Sequence, residues 1–255
     1  MKIAVFCAYD TPATIEFAKA AIAYLENKGH LLSLDNRLTE HLPAEAKKYN
    51  TFDASGTLGS DNDYLFSIGG DGTLLRSIPF VKDTQIPILG INTGRLGFLT
   101  SLQKESLNEA LDKFFDEKFK LVKRALLAVE LSTLSSEIDE FGYALNEISI
   151  NRKNTTAMLS IATQIEKEFL TTYWADGLII ATPTGSTGYS LSSGGPILTP
   201  ETEGFVLNPI APHNLNIRPL VVPDKAEIEI SVDGRGEDHL LSLDSRIFTI
   251  ENGTQ

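Results

Sequence analysis

One stretch constrains this chain more than any other: Ser67-Ile68-Gly69-Gly70-Asp71-Gly72-Thr73-Leu74-Leu75. The apolar run Tyr64-Leu65-Phe66 in front of it reads as a buried strand, and the apolar positions behind it begin a helical pattern. Two glycines, a carboxylate, a third glycine and a hydroxyl thus stand where a strand hands over to a helix. That is where an α/β sheet opens its ligand crevice. Glycines let the backbone approach a ligand with no Cβ in the way, and the first amides of the helix are free for phosphate oxygens. Asp71 is the odd member, because a carboxylate repels phosphate. It fits if its partner is a hydroxyl to be deprotonated, or a metal bridging to phosphate. A phosphoryl-transfer site is one reading; a simple Gly-Asp-Gly turn is the other.

A length of 255 residues can bury a sizeable core in one large domain or two modest ones. The N-terminal run Met1-Lys2-Ile3-Ala4-Val5-Phe6 goes straight into a strand-like pattern, with no apolar signal region and cleavage site after it. No apolar run approaches membrane-span length, so no membrane partner is expected. The single cysteine, Cys7, cannot form an internal disulfide. That suits a reducing, cytoplasmic location, and Cys7 itself reads as core filling. Lys and Arg total 22 against 34 Asp and Glu, a net charge of −12, which argues against a nucleic-acid footprint. An anionic nucleotide stays open, because backbone amides, local cations and Mg²⁺ bind phosphate within acidic proteins. The four histidines are scattered, with no i, i+4 pair, so no zinc site is expected.

In chain order, residues 2–9 read as strand. Ile15, Phe17, Ala18, Ala21, Ile22 and Leu25 form a helical stripe that Gly29 can cap, and Leu31 to Leu34 begins a second strand. This βαβ opening favours a parallel sheet. Residues 36–61 are polar and weakly patterned. Pro87 to Asn92 is another buried strand, running into a second glycine-rich turn, Thr93-Gly94-Arg95-Leu96-Gly97-Phe98-Leu99, and then a helix whose buried face is expected to carry Leu107, Ala110, Leu111, Phe114 and Phe115. From about residue 120 alternating patterns take over, at Leu126 to Leu131, Glu147 to Ile150, Met158 to Thr163, Ile179 to Ala181 and Glu227 to Ile230. The expectation is an α/β N-terminal domain with a mainly parallel sheet at 1–120, an all-β-rich C-terminal domain at 121–255, and a ligand cleft between them.

A second constellation runs from Ala175-Asp176-Gly177-Leu178 through Thr182-Pro183-Thr184-Gly185-Ser186-Thr187-Gly188-Tyr189-Ser190-Leu191-Ser192 to Pro196. It is rich in backbone amides and hydroxyls, with one ring for stacking, and suits a ribose, phosphate or nucleobase. A Ser/Gly linker is the rival reading, opposed by the ordered apolar flanks Ile179-Ile180-Ala181 and Pro196-Ile197-Leu198. Asn146-Glu147 stands at a strand start, where a solvated strand end is the plain reading. Arg76, one turn into the first motif's helix, is a phosphate contact or a surface cation. Trp174, the only tryptophan, is expected to be partly buried beside Asp176, with ring stacking on a ligand as the alternative. No Gly-x-Ser-x-Gly elbow, no Walker-type lysine loop and no Gly-x-Gly-x-x-Gly fingerprint occurs.

Taken together, Gly69-Gly70-Asp71-Gly72-Thr73, then Gly90 to Leu99, Asn146-Glu147, the 175–196 stretch, Pro209-Ile210-Ala211-Pro212-His213 and Arg218-Pro219-Leu220-Val221 resemble the NAD kinase family, in that family's order. Gly-Gly-Asp-Gly-Thr alone is shared with lipid kinases of the diacylglycerol kinase type and, in related form, with phosphofructokinases; the 175–196 stretch is more specific. The resemblance implies phosphorylation of the adenosine 2′-hydroxyl of NAD to give NADP, with ATP or inorganic polyphosphate as donor. The family's proton-abstracting aspartate falls on Asp71. Its NAD-holding positions fall on Asp71, Gly72, Arg76, Asn146, Glu147, Asp176 and the run Thr187, Gly188, Tyr189, Ser190, Leu191 and Ser192; by a looser match they fall on Trp174, Ala211 and Arg246. A divalent ion, Mg²⁺ carried with ATP, is the implied cofactor, and a homodimer or homotetramer the implied assembly.

Two features depart from the family pattern. Members often carry Arg or Lys where this chain has Trp174, which removes a charge contact there. They also usually run on past the equivalent of Asn252 into further strand, so a chain stopping at Gln255 is expected to be truncated, with its subunit packing affected. The alternatives to NAD kinase are a lipid kinase, opposed by the lack of a Gly-Thr-x-Asn-Asp signature, and a non-catalytic NAD-binding sensor that kept the pocket.

Overall fold

Lys2–Phe6 (β1) buries four consecutive residues, Ile3 through Phe6. A strand with no polar side must be covered on both faces, as in a parallel sheet flanked by helices. Thr11 then caps Pro12–Asn27 (α1): its hydroxyl accepts from the Thr14 amide at 3.3 Å, and Pro12 opens the first turn. The buried stripe of α1, from Ile15 to Leu25, packs against the sheet. The helix stops at Gly29, whose φ is 78°, and the His30 amide donates to the Leu25 carbonyl at 3.1 Å.

The computed structural model describes the whole chain except residues 10, 43–47, 54–57, 83, 95–96, 101, 104–106, 133–137, 139–141, 154–156 and 255. Arg95 and Leu96 of the second glycine-rich turn thus lie outside the described residues. The first compact unit, Met1–Val122, continues with Leu31–Asp35 (β2), Asn36–Thr39 (α2), Asn50–Phe52 (β3), Tyr64–Gly69 (β4), Asp71–Val81 (α3), Ile88–Asn92 (β5), Leu102–Gln103 (β6) and Leu107–Phe115 (α4). Six strands lie in the order β3-β2-β1-β4-β5-β6, and every pair is parallel. The strand order reverses between β1 and β4, so the crevice expected of such a sheet lies beyond the carboxyl ends of these two strands. Two expectations shift here. β1 ends at Phe6 rather than reaching residue 9: its register with β4 stops at Phe6 opposite Ser67, and the Cys7 thiol beyond it donates to the Tyr9 carbonyl at 3.2 Å. The weakly patterned stretch 36–61 contains α2 and β3.

The second unit, Lys123–Gln255, is antiparallel throughout. Its elements are Leu127–Ala128 (β7), Tyr143–Ala144 (β8), Glu147–Arg152 (β9), Leu159–Ile165 (β10), Glu168–Ala175 (β11), Gly177–Ala181 (β12), a 3₁₀ turn at Gly185–Thr187, Tyr189–Ser192 (α5), Gly204–Ile210 (β13), Leu220–Pro223 (β14), Ile228–Asp233 (β15), Asp238–Leu243 (β16) and Arg246–Glu251 (β17). A six-stranded sheet, β14-β13-β12-β9-β16-β17, and a three-stranded sheet, β11-β10-β15, share one apolar core. Ile148, Ile150, Leu178 and Ile180 come to it from the first sheet, and Ile161, Tyr173 and Val232 from the second. The alternation read at Leu126 to Leu131 yields only the two-residue β7. Among the described residues no helix is long and apolar enough to cross a membrane.

Candidate active site

In the first unit the motif closes on itself around Asp71. β4 delivers Gly69, and a Cβ there would stand 2.1 Å from the Thr73 hydroxyl, so the strand-to-helix turn has room for glycine alone. No side chain caps the start of α3, which leaves amides of its first turn available to an anion. Asp71, in that first turn, reaches back to the second glycine-rich turn. Its Oδ1 accepts from the Leu99 amide at 3.1 Å, the Thr100 amide at 3.2 Å and the Thr100 hydroxyl at 3.3 Å; Oδ2 accepts from the Phe98 amide at 2.8 Å. Asn92, fully buried at the end of β5, orients this arrangement by donating to the Thr100 hydroxyl at 2.9 Å and accepting from the Gly94 amide at 2.7 Å. Gly97 is glycine for a steric reason: a Cβ would lie 2.2 Å from Asp71 Oδ1.

Carboxylate oxygens offer about two acceptor directions each. Oδ1 is therefore saturated by three donors, while Oδ2 keeps one direction open. At the motif a cavity of about 200 Å³ is lined by Tyr9 and Thr11 from the turn after β1 and by Gly70, Gly72, Thr73 and Thr93. It sits where the strand order reverses. The Thr73 hydroxyl is buried and has no hydrogen-bond partner. Arg76 is exposed, and its guanidinium lies over the Tyr9 ring at 5.1 Å from the centroid.

In the second unit the nominated residues fall into two groups. The first surrounds Asn146 and Glu147 at the start of β9. Thr182 donates through its amide to the Asn146 carbonyl at 2.9 Å and through its hydroxyl to the Leu145 carbonyl at 2.6 Å. Gly185 packs so closely that a Cβ would meet the Asn146 carbonyl oxygen at 2.0 Å. The run Thr187 to Ser192 is thereby drawn against this pair, and a Cβ on Gly188 would lie 3.2 Å from Glu147 Oε2. Tyr189, Leu191 and Ser192 are exposed. Ser190 is fully buried, accepting from the Asn208 amide nitrogen at its carbonyl (2.8 Å) and its hydroxyl (3.3 Å), so its side chain serves the fold. Glu147 Oε2 is buried without a partner. Burial first, and then the neighbouring Asp244 carboxylate, push the Glu147 carboxyl up to about 7. Arg246 belongs to this group too, donating to the Tyr143 carbonyl.

The second group gathers Trp174, Asp176 and Ala211. The Asp176 amide donates to the Ile210 carbonyl at 3.0 Å, and its carboxylate pairs with Arg152 at 3.1 Å. The Trp174 carbonyl accepts from the His213 amide at 2.8 Å, and Ala211 adopts a positive φ of 46°. Trp174 is 54% exposed, which corrects the expectation of partial burial: its neighbours Tyr173 and Ala175 point into the core, so alternation along β11 turns Trp174 to the solvent face. The two groups stand at opposite ends of one ladder. Ala181 pairs with Glu147 and Gly177 with Asn151, so Asp176 lies five residues along the strand from the Glu147 end. At about 3.3 Å per residue this is roughly 17 Å. The chain does not bring Asp176 to Glu147.

Three residues that shape the site were not nominated from sequence. Asp244 binds the amides of residues 145–147, Arg152 pairs with Asp176, and Thr100 holds Asp71. Only Thr100, next to the quoted turn, carried any local signal. Among the described residues no group of three or more His, Cys, Asp or Glu is placed to hold a metal ion.

Comparison with known proteins sets these features in context. Residues 4–119 match a family model described as the ATP-NAD kinase N-terminal domain, and residues 145–251 one described as the ATP-NAD kinase C-terminal domain. The chain is 51% identical over 209 residues to the NAD kinase of Christiangramia forsetii, covering 82% of this chain and 71% of that protein. It is 45% identical over 255 residues to the NAD kinase of Flavobacterium psychrophilum, covering 99% and 87%. Among solved structures, yeast NADH kinase complexed with NADH superposes with a TM-score of 0.85 at 26% identity, covering 100% of this chain and 76% of that one. The NAD kinase from Archaeoglobus fulgidus in complex with ATP superposes with a TM-score of 0.73 at 26% identity, covering 100% and 88%.

Proposed function

The chain belongs to the NAD kinase family, and we propose that it transfers the γ-phosphoryl group of ATP to the 2′-hydroxyl of the adenosine ribose of NAD, giving NADP and ADP. The observation that carries the chemistry is the Asp71 carboxylate, anchored by four donors with one direction of Oδ2 left open. Phosphoryl transfer asks of a protein chiefly position, charge neutralisation and a base for the attacking hydroxyl. In this reading Asp71 Oδ2 takes the proton as the 2′-oxygen attacks the γ-phosphorus, and the bond from that phosphorus to the bridging oxygen breaks to release ADP. Oδ1 stays on its three donors, so the carboxylate keeps its aim through the step.

The amides of α3's first turn and the Thr73 hydroxyl would hold donor phosphates in the cavity lined by Gly70, Gly72 and Thr73. Mg²⁺ bound to ATP would supply charge neutralisation on the triphosphate, and arrival with its own waters suits a chain with no carboxylate cage among its described residues. Asn146, Glu147 and the exposed positions of Thr187 to Ser192 would hold NAD, the carboxyl of Glu147 facing ribose or base rather than phosphate. Asp176, Trp174 and Ala211 would contact NAD held by another copy of the chain in a homodimer or homotetramer, which their separation from Glu147 favours.

The test offers the purified protein Mg-ATP with either NAD or diacylglycerol. Phosphorylated NAD with untouched lipid is the expected result; phosphorylated lipid with untouched NAD would overturn the proposal.

A further inference from the structure

We infer that Asp244 is a positioning residue for the NAD kinase reaction proposed above: its carboxylate fixes the backbone turn from which Asn146 and Glu147 project. Asp244 and Ser245 make the two-residue connection between β16 and β17, since Leu243 pairs directly with Arg246. Asp244 there adopts a φ of 51°. Glycine makes such a turn at lower cost, although aspartate tolerates it better than most residues. The carboxylate supplies what glycine lacks. Oδ2 accepts from the Leu145 amide at 2.9 Å, and Oδ1 accepts from the Asn146 amide at 2.8 Å and the Glu147 amide at 3.1 Å.

Three successive amides converging on one anion form a concavity of the kind that elsewhere holds phosphate. Here a side chain almost a hundred residues away in sequence fills it. The Asp244 amide returns a bond to the Glu147 carbonyl at 2.9 Å. On the other side of the same backbone, Thr182 binds the Leu145 and Asn146 carbonyls and Gly185 packs flush against Asn146. The peptide groups at 145–147 are thus clamped from both sides, leaving the side chains of Asn146 and Glu147 for a ligand. Asp244 also acts through charge. Its carboxylate disfavours ionisation of the Glu147 carboxyl, and Arg246 in turn favours the charged form of Asp244.

These two actions separate in the nearly isosteric D244N. The amide keeps one acceptor oxygen, turns an NH₂ group toward a backbone amide and removes the negative charge. Losing charge-assisted bonds to this turn should weaken NAD binding on the order of tenfold, with the KM for NAD following and kcat changing less than about threefold. The pH midpoint of NAD binding should fall, because Glu147 no longer faces a second carboxylate. NAD affinity is read by calorimetry from pH 5.5 to 8.5, beside NADP formation and the melting temperature.

Native affinity in folded D244N overturns the inference, as does a loss confined to kcat, or weakened binding whose pH midpoint has not moved. Should D244N not fold, amide hydrogen exchange in the unmodified protein decides: slow exchange at 145, 146 and 147 supports the clamp, and exchange at free-loop rates overturns it. Unmodified protein that binds NAD without forming NADP would sink the kinase reading alone and leave calorimetry to judge Asp244. Unmodified protein that binds no NAD would overturn both.

Discussion

Replacing Glu147 by Gln separates the cost of a buried charge from the cost of a buried side chain. The Glu147 carboxyl is pushed from 4.5 to about 7, chiefly by burial and then by Asp244. A folded-state value above the unfolded one means that the native state holds the proton more tightly. The neutral form is therefore accommodated below about pH 4.5, stability falls as pH rises toward 7, and the whole penalty is present above it. The difference of about 2.5 pH units corresponds to about 3 kcal/mol at about 1.36 kcal/mol per unit. Gln keeps the shape of the neutral acid and cannot ionise. The stability gained by E147Q over the unmodified protein should thus be below about 1 kcal/mol at pH 5 and reach about 3 kcal/mol by pH 8. Urea unfolding at both pH values measures this. Trp174, the only tryptophan, belongs to the same unit as Glu147, so its fluorescence follows the relevant transition. A difference between the two proteins that does not change with pH would refute the buried, carboxylate-facing environment described for Glu147.

Three further outcomes follow from the same geometry. D71N should lower turnover on the order of a hundredfold while NAD still binds, measured by steady-state kinetics beside calorimetry. G97A should also cost turnover with the charge of Asp71 intact, since its Cβ would lie 2.2 Å from Oδ1 and drive the carboxylate off the 98–100 amides; undiminished kcat would show that this anchoring is dispensable. D176A should raise the NAD concentration needed for half-maximal rate on the order of tenfold with little change in kcat, and a selective fall in kcat would count against its binding role.

Features set by short stretches were legible in the sequence. α1 announces itself through a helical stripe and Gly29, and the hand-over from β4 to α3 through its glycines. The family resemblance likewise rests on contiguous motifs, and the parallel α/β and antiparallel β-rich architectures followed from where the patterning changes. What escaped depends on residues distant in sequence. Asp71 meets partners 27 to 29 residues away, and Asp244 meets partners 97 to 99 residues away. Neither is implied by local periodicity. β13 was not read as a strand: its residues are buried almost throughout, so it shows no alternation, and Pro209 argues against pairing until the register opposite Leu178 is known. Trp174 was expected to be partly buried beside Asp176, but β11 turns Tyr173 and Ala175 to the core and Trp174 to solvent.

The most direct test of the central claim is NADP formation by the unmodified protein and by D71N, each incubated with NAD and Mg-ATP and each checked for thermal stabilisation by NAD in the same preparation. The account predicts stabilisation of both proteins, steady NADP production by the unmodified one, and near-complete loss of production in D71N. Stabilisation by NAD with no NADP from the unmodified protein at any ATP concentration, or equal production by the two, would contradict it.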